Sequence, residues 1–211
     1  DIIDPDAIHQ VRSSLITCLA TELQDEWLAI YVADKTERYQ IDHGDIAKRA
    51  LRNVCLSYLA FTDRDFADNL ISQQYHHANN MTDSLAALSA AVAAELPCRD
   101  KLMSEFDERW HQDGLVMDKW FILQASSPNK QVLQTIKSLL NHRSFSMNNP
   151  NRIRSLIGAF ASTNPSIFHA KDGSGYNFLT EILIDLNQRN PQVASRLIEP
   201  MIRLSRYDES R

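Results

Sequence analysis

Residues 148–176 read N-N-P-N-R-I-R-S-L-I-G-A-F-A-S-T-N-P-S-I-F-H-A-K-D-G-S-G-Y, and this stretch decides the fold class. Asn149-Pro150 and Asn164-Pro165 are helix starts: an asparagine caps the first free N–H groups, and a proline at the opening position loses no helical hydrogen bond. Between them Ile153, Ile157 and Phe160 recur at steps of four and three, the spacing of one helical face. Asp172-Gly173-Ser174-Gly175 is turn chemistry. The stretch therefore predicts a helix, a short helix, a loop and a further helix marked by Tyr176, Leu179, Ile182, Leu183 and Leu186.

The same period runs through the rest of the 211 residues, and no segment alternates with a period of two. Asp4 with Pro5 opens a first helix, and Ile8, Val11, Leu15, Leu19, Leu23, Trp27 and Ile30 form its expected inward stripe. A second helix is expected over about 43–61 with Ile46, Ala50, Val54 and Tyr58 inward. Asp63 begins a third, carrying Phe66, Leu70 and Ile71. Thr82 or Asp83 caps a fourth, Leu85 to Leu96, whose small residues suit the interior of a stack. Leu102, Phe106 and Trp110 line the fifth, Gly114 precedes the sixth, and Val132, Ile136, Leu139 and Leu140 mark the seventh. After the two Asn-Pro starts, Asn190-Pro191 opens a last helix that Pro200 kinks, because proline has no N–H to donate. The expectation is an all-α fold of about ten helices, paired and stacked into an α-superhelix without a sheet, as one domain over 1–211.

Composition narrows the function classes. A hydrophobic share of 44% and a charged share of 23% are those of an ordinary globular chain. No apolar run approaches the 18 residues of a membrane span. Charge is uneven, with 11 Lys and Arg against 21 Asp and Glu in residues 1–125, and 11 against 6 in residues 126–211. The basic residues of the second half are scattered rather than gathered in a stripe, which argues against nucleic acid. Asp1-Ile2-Ile3-Asp4 has neither the basic flank nor the apolar core of a signal peptide. Cys18, Cys55 and Cys98 stand apart at apolar helical positions. An odd, sparse set without such a signal predicts reduced, buried thiols and a cytoplasmic location. A start without Met and an end at Ser210-Arg211 set the further expectation of a piece of a longer protein.

Candidate chemistry is thin. Adjacent His76 and His77 point about 100° apart on a helix and do not chelate together. His43, beside Asp42 and Asp45, belongs to a cap, while His111 and His142 lie where the helix C-terminal dipole favours them. No cysteines have zinc-site spacing, so no metal is expected in the chain. Gly173-Ser174-Gly175 lacks both the strand of a nucleophile elbow and the lysine of a phosphate loop. A loop that uses glycine for positive φ is the simpler reading. Arg152 and Arg154, two apart, splay to different sides, whereas Gln192 and Arg196, four apart, share a face. On residue type alone, a solvated or ion-paired surface accounts for all four.

Taken whole, residues 148–176 resemble the C-terminal helical domain of bacterial aminopeptidase N, a family of zinc metallo-aminopeptidases of the gluzincin type. The likeness extends to N-N-M-T-D at 79–83, G-L-V-M-D-K-W-F-I-L-Q at 114–124 and R-N-P-Q-V-A-S-R-L-I-E-P at 189–200. The family's zinc motif, His-Glu-x-x-His with a later Glu, is not in the chain. The resemblance implies an α-superhelix that closes over a separate N-terminal catalytic domain of the same polypeptide. It implies zinc in the parent enzyme, with no zinc and no catalytic residue here, so that the chain alone is inactive. It also implies that Arg154, Gln192 and Arg196 face the enclosed cavity and bind the part of a peptide substrate beyond its first residue. The competing class is a free-standing helical scaffold that binds another protein.

Overall fold

The computed structural model describes residues 2–33 and 39–202, together with Tyr207. Among them it holds fourteen α-helical segments and one π-helical turn, and no strand beyond an isolated bridge between Ile3 and Tyr207. The all-α expectation holds. The contacts divide the chain into two compact units, one of Val11–Glu105 and one of Asp1–Gln10 with Phe106–Arg211.

The Val11–Glu105 unit takes in most of α1 (Pro5–Glu22), then α2 (Gln24–Ala33), α3 (His43–Leu59), α4 (Arg64–His77), α5 (Met81–Ala93) and the start of α6 (Arg99–Trp110). The starts of α1, α3, α4 and α5 are side-chain caps. Asp42 accepts from the Asp45 N–H, and Asp63 from the Phe66 N–H at 2.9 Å. That N–H bond is the leading cause that holds the Asp42 carboxyl below its usual range. The cap of α5 is Asn80 rather than Thr82 or Asp83. Its Oδ1 accepts from the Asp83 N–H, while its amide donates to Asp83 Oδ2 at 2.8 Å. This reciprocal arrangement leaves Asp83 buried at the third helical position.

Asp83 then collects neighbours. Asn53 donates to its Oδ1 at 2.8 Å, Gln74 donates to its carbonyl at 3.1 Å, and Arg52, which also donates to the Tyr31 hydroxyl, lies 4.0 Å from Oδ2. One buried residue thereby links α3, α4 and α5, and Arg52 joins α2 to the group. Burial is the first cause that raises the Tyr31 phenol above its ordinary value. The small-residue helix behaves as its composition predicts, with Ala87, Leu88, Ala90, Ala91 and Val92 all buried.

Two inward stripes are corrected. The first helix breaks at Leu23, and Ile8, Val11 and Leu15 are exposed at 48%, 67% and 57%. On α3, Ile46, Ala50 and Val54 face outward, while Arg49, Cys55, Leu56 and Leu59 are buried and Tyr58 stacks on Trp27 at 4.5 Å. Periodicity marks an apolar face but does not supply the element that covers it. Cys18 is likewise exposed, against the expectation of a buried thiol.

In the other unit the Asn-Pro starts form as read. Asn149 caps α9 (Pro150–Ile153), which runs through a π-helical turn (Arg154–Gly158) into α10 (Ala159–Thr163). Ile153, Ile157 and Phe160 are buried, and Phe160 meets Phe168 edge-on at 5.6 Å. Before this helix come α7 (Gly114–Ala125) and α8 (Val132–Leu139). After it come α11 (Pro165–Phe168), α12 (Ser174–Arg189), α13 (Pro191–Leu197) and α14 (Glu199–Ile202). The chain breaks at Ile198, two residues before Pro200, as the missing N–H requires. Asn164 precedes Pro165 at the start of α11 but makes no side-chain cap there; its buried amide instead donates to the Ala125 and Ser127 carbonyls at 3.1 and 2.7 Å and closes the end of α7.

The two glycines of the Gly-Ser-Gly sequence do different things. Gly173 adopts φ 71°. Gly175 is already inside α12, and a Cβ there would stand 2.2 Å from the Phe168 carbonyl oxygen. Gly175→Ala is therefore expected to cost about 1–3 kcal/mol through overpacking, read as a lower midpoint in urea. The thiols provide a second check. Burial first, and then the Asp68 carboxylate, push Cys98 up to about 12. A disulfide reagent at pH 8 is expected to label exposed Cys18 well before Cys98 and Cys55, and equal rates would contradict the structure.

Candidate functional site

The site is built on the helix from Pro150 to Thr163. On one side of it Arg152 is buried, with a guanidinium that is ion-paired to Asp118 of α7 and donates from Nε to the Ser144 carbonyl at 3.0 Å. Ser155, one helical turn on, donates its hydroxyl to the same Asp118 oxygen at 3.0 Å. The slot exists because Gly114 has no side chain: a Cβ there would lie 2.6 Å from Arg152 Nη2. With Arg152 and Ser155 turned to α7, Arg154 points elsewhere and is exposed, tied by one donor to Asn151 Oδ1 at 3.2 Å. The expected splay of the arginine pair is thus what the structure has.

Arg154 borders a cavity of about 660 Å³ that lies wholly within the unit of Asp1–Gln10 and Phe106–Arg211. Arg196 of α13 borders the same cavity. Gln192, one turn before Arg196, is exposed and is not part of the lining. Between the two arginines the wall is largely apolar, from Ile122, Ala159, Val193 and Leu197, with Glu199 as an acidic member. Two guanidiniums on an apolar concave surface suit oxygen-rich groups, because each presents several donors in a fixed plane.

His169 and Tyr207 also line this cavity. His169 is 3% exposed, its Nδ1 lies 2.9 Å from the Tyr176 hydroxyl, and Tyr207 stacks on its ring at 3.9 Å. Nothing in the sequence singled out His169. A single histidine without a spaced partner carries no signal of its own.

Four other histidines have partners of their own. His76 donates from Nδ1 to the Ser72 carbonyl and faces Glu105 at 3.1 Å, and His77 donates to the Gln73 carbonyl. His111 meets the Glu108 carbonyl near the end of α6, as the dipole argument expects. His142 instead pairs with Asp107 at 3.2 Å, which also holds Arg143. Among the described residues no three His, Cys, Asp or Glu side chains are placed to hold a metal ion. No helix among them is long and apolar enough to cross a membrane.

The fold and its cavity define a helical-repeat domain with a basic concave surface. The family described as a domain of unknown function with ARM repeats (DUF3458_C) matches residues 1–211, and the chain belongs to it. ARM repeats fit the α-superhelix expected from the sequence. The chain is 68% identical over all its residues to aminopeptidase N of Escherichia coli (strain K12) and 52% identical over 209 residues to aminopeptidase N of Haemophilus influenzae. It spans 24% of the length of each of these relatives. A crystal structure of Legionella pneumophila aminopeptidase A in complex with aspartic acid matches the whole chain with a TM-score of 0.89 at 26% identity, over 26% of that protein. The likeness to the C-terminal domain of aminopeptidase N is thereby confirmed.

The Arg152–Asp118 pair yields a direct test. The two side chains are 9% and 16% exposed. Asp118→Ala leaves a buried guanidinium unpaired and is expected to cost about 3–5 kcal/mol. Arg152→Met combined with Asp118→Leu is expected to recover most of that loss, because both charges leave together. Urea denaturation measures each step, and a single substitution without effect would contradict the arrangement.

Proposed function

We propose that this chain is the helical domain of a zinc-dependent aminopeptidase that removes N-terminal residues from peptides in the cytoplasm. The domain encloses the active-site space and holds the distal part of the peptide. The observation that carries this reading is the placement of Arg154 and Arg196, from helices well separated in sequence, on one cavity of about 660 Å³. The aminopeptidase N relatives support the reaction class. Gln192 acts from the same helix as Arg196, one turn nearer its start.

The described residues do not fit a zinc site, since no three candidate ligands come together. Zinc and the catalytic groups are assigned to the part of the polypeptide beyond this chain, and no step of the chemistry is assigned to residues here. Exposed Val11, Leu15, Ile46 and Val54 support a partner that covers apolar surface, which we assign to the catalytic domain of the same polypeptide. The chain by itself is expected not to cleave aminoacyl anilides.

The test uses the full-length enzyme with peptides of graded length. Arg196→Ala is expected to cost about 1.5–3 kcal/mol of peptide binding. The loss falls on KM more than on kcat, because a group away from the reacting bond holds ground and transition states alike. It grows with peptide length. An unchanged KM for tetrapeptides would overturn the assignment.

A further inference from the structure

The helix from Pro150 to Thr163 contains one turn wider than the rest. The Ala159 N–H bonds to the Arg154 carbonyl, five residues back, whereas the Ile153 N–H bonds to Asn149 and the Asn164 N–H to Phe160, each four back. Such a turn holds one extra residue, which rotates everything after it by about 100° from the course of an unbroken α-helix. The burial pattern carries the mark of this change of face. A helix with one fixed inward stripe buries a residue every three or four positions. Here Ser155, Leu156, Ile157, Ala159, Phe160 and Ala161 are all buried.

The extra residue lets the helix grip α7 at both ends. At its start Arg152 pairs with Asp118, and the Ser155 hydroxyl donates to the same carboxylate at 3.0 Å. At its end Thr163 Oγ1 lies 3.0 Å from Ser126 Oγ, on the cap residue of α7, and the Asn164 amide bonds to the Ala125 and Ser127 carbonyls. Ser155 and Thr163 stand eight positions apart. In an unbroken α-helix they would point about 80° apart, and one extra residue between them reduces this to about 20°. The wide turn is thus what lets both grips be made. Arg154 is the first residue of that turn, and Arg154 and Ser155 both border the cavity.

We propose that Asp118 is a positioning residue for Arg154, acting through the wide turn. Its carboxylate holds Arg152 and Ser155 against α7 and so fixes the rotation of the helix where the turn begins. With that grip gone, the far end stays clamped at Ser126 and the turn rewinds to α-helix. The start of the helix then swings and carries the Arg154 guanidinium away from the cavity. The ion pair therefore sets where the peptide-binding charge stands without touching the peptide. This inference rests on the reading of Arg154 as a peptide contact.

The experiment uses the full-length enzyme in three variants: Arg152→Met paired with Asp118→Leu, Arg154→Ala alone, and all three substitutions together. Melting temperature is recorded, with KM and kcat for alanine di- and tetrapeptides, and the paired variant is crystallised. Its structure is expected to show 154–158 as ordinary α-helix with Arg154 turned from the cavity. Its tetrapeptide KM is expected to rise about tenfold, the scale of one lost charge-assisted hydrogen bond. The dipeptide KM should move less and kcat little. Because the loss runs through Arg154, the triple variant should bind no worse than Arg154→Ala alone. A crystal structure that keeps the wide turn and leaves Arg154 on the cavity overturns the proposal, as does a triple variant whose losses simply multiply. If the paired variant does not fold, Ser155→Ala takes its place with about a threefold rise expected, and an unchanged tetrapeptide KM there overturns the proposal. Arg154 turned away with KM unmoved in every variant would leave the positioning standing and remove the peptide reading. A raised KM in Arg154→Ala beside an unmoved paired variant would do the reverse.

Discussion

The ion pair between Arg152 and Asp118 is the interaction on which the cavity depends. Removing two charges from water is costly, and the cost is offset only where every remaining donor and acceptor is met. Here the Ser155 hydroxyl and the Ser144 carbonyl each add a hydrogen bond to the pair, and the absent side chain of Gly114 opens the slot. The arrangement fixes one rotation of the helix that starts at Pro150. Once that rotation is set, Arg154 and Gly158 must face the cavity while Ile153, Ile157 and Phe160 face the core. A purely apolar contact in place of the pair would hold the helices together yet tolerate a twist of some degrees, and the aim of Arg154 would drift with it.

A similar logic appears in the Val11–Glu105 unit, with a different centre. Asp83 is at once the third residue of a capped helix and the hub for Asn53, Asn80 and Arg52. The capping bond places the carboxylate where the others can reach it, so a local helix signal becomes the junction of four helices. Around it the packing is close because half of the buried residues of α5 are alanine. Helices with small side chains approach nearer than those with leucine or phenylalanine, and the network can then be made with short bonds.

Exposed apolar residues bear on the partner proposed above. The stripe on α1 and the outward face of α3 have the periodicity of buried surfaces without being buried. In the assignment made above, their partner is the catalytic portion of the polypeptide, which accounts for apolar side chains at positions where isolated folding would favour polar ones. The cavity and these faces then serve different ends: the cavity keeps charge and open volume, and the faces keep apolar area.

Much of this molecule was legible in its sequence, for reasons that are local. Asn149-Pro150, Asn164-Pro165 and Asn190-Pro191 predicted helix starts because capping and proline geometry involve only neighbours along the chain. The same holds for the buried face of Ile153, Ile157 and Phe160, and for the division of Arg152 from Arg154. The choice of Arg154, Gln192 and Arg196 came from family likeness rather than from spacing, and only the folded chain brings Arg154 and Arg196 to one cavity and leaves Gln192 off its lining. Tertiary structure alone decided that the stripe of α1 stays exposed and that His169 meets Tyr207. A side chain's period along the helix tells which residues share a face. Whether that face is covered, and by what, depends on elements distant in sequence, and no short-range pattern encodes their approach.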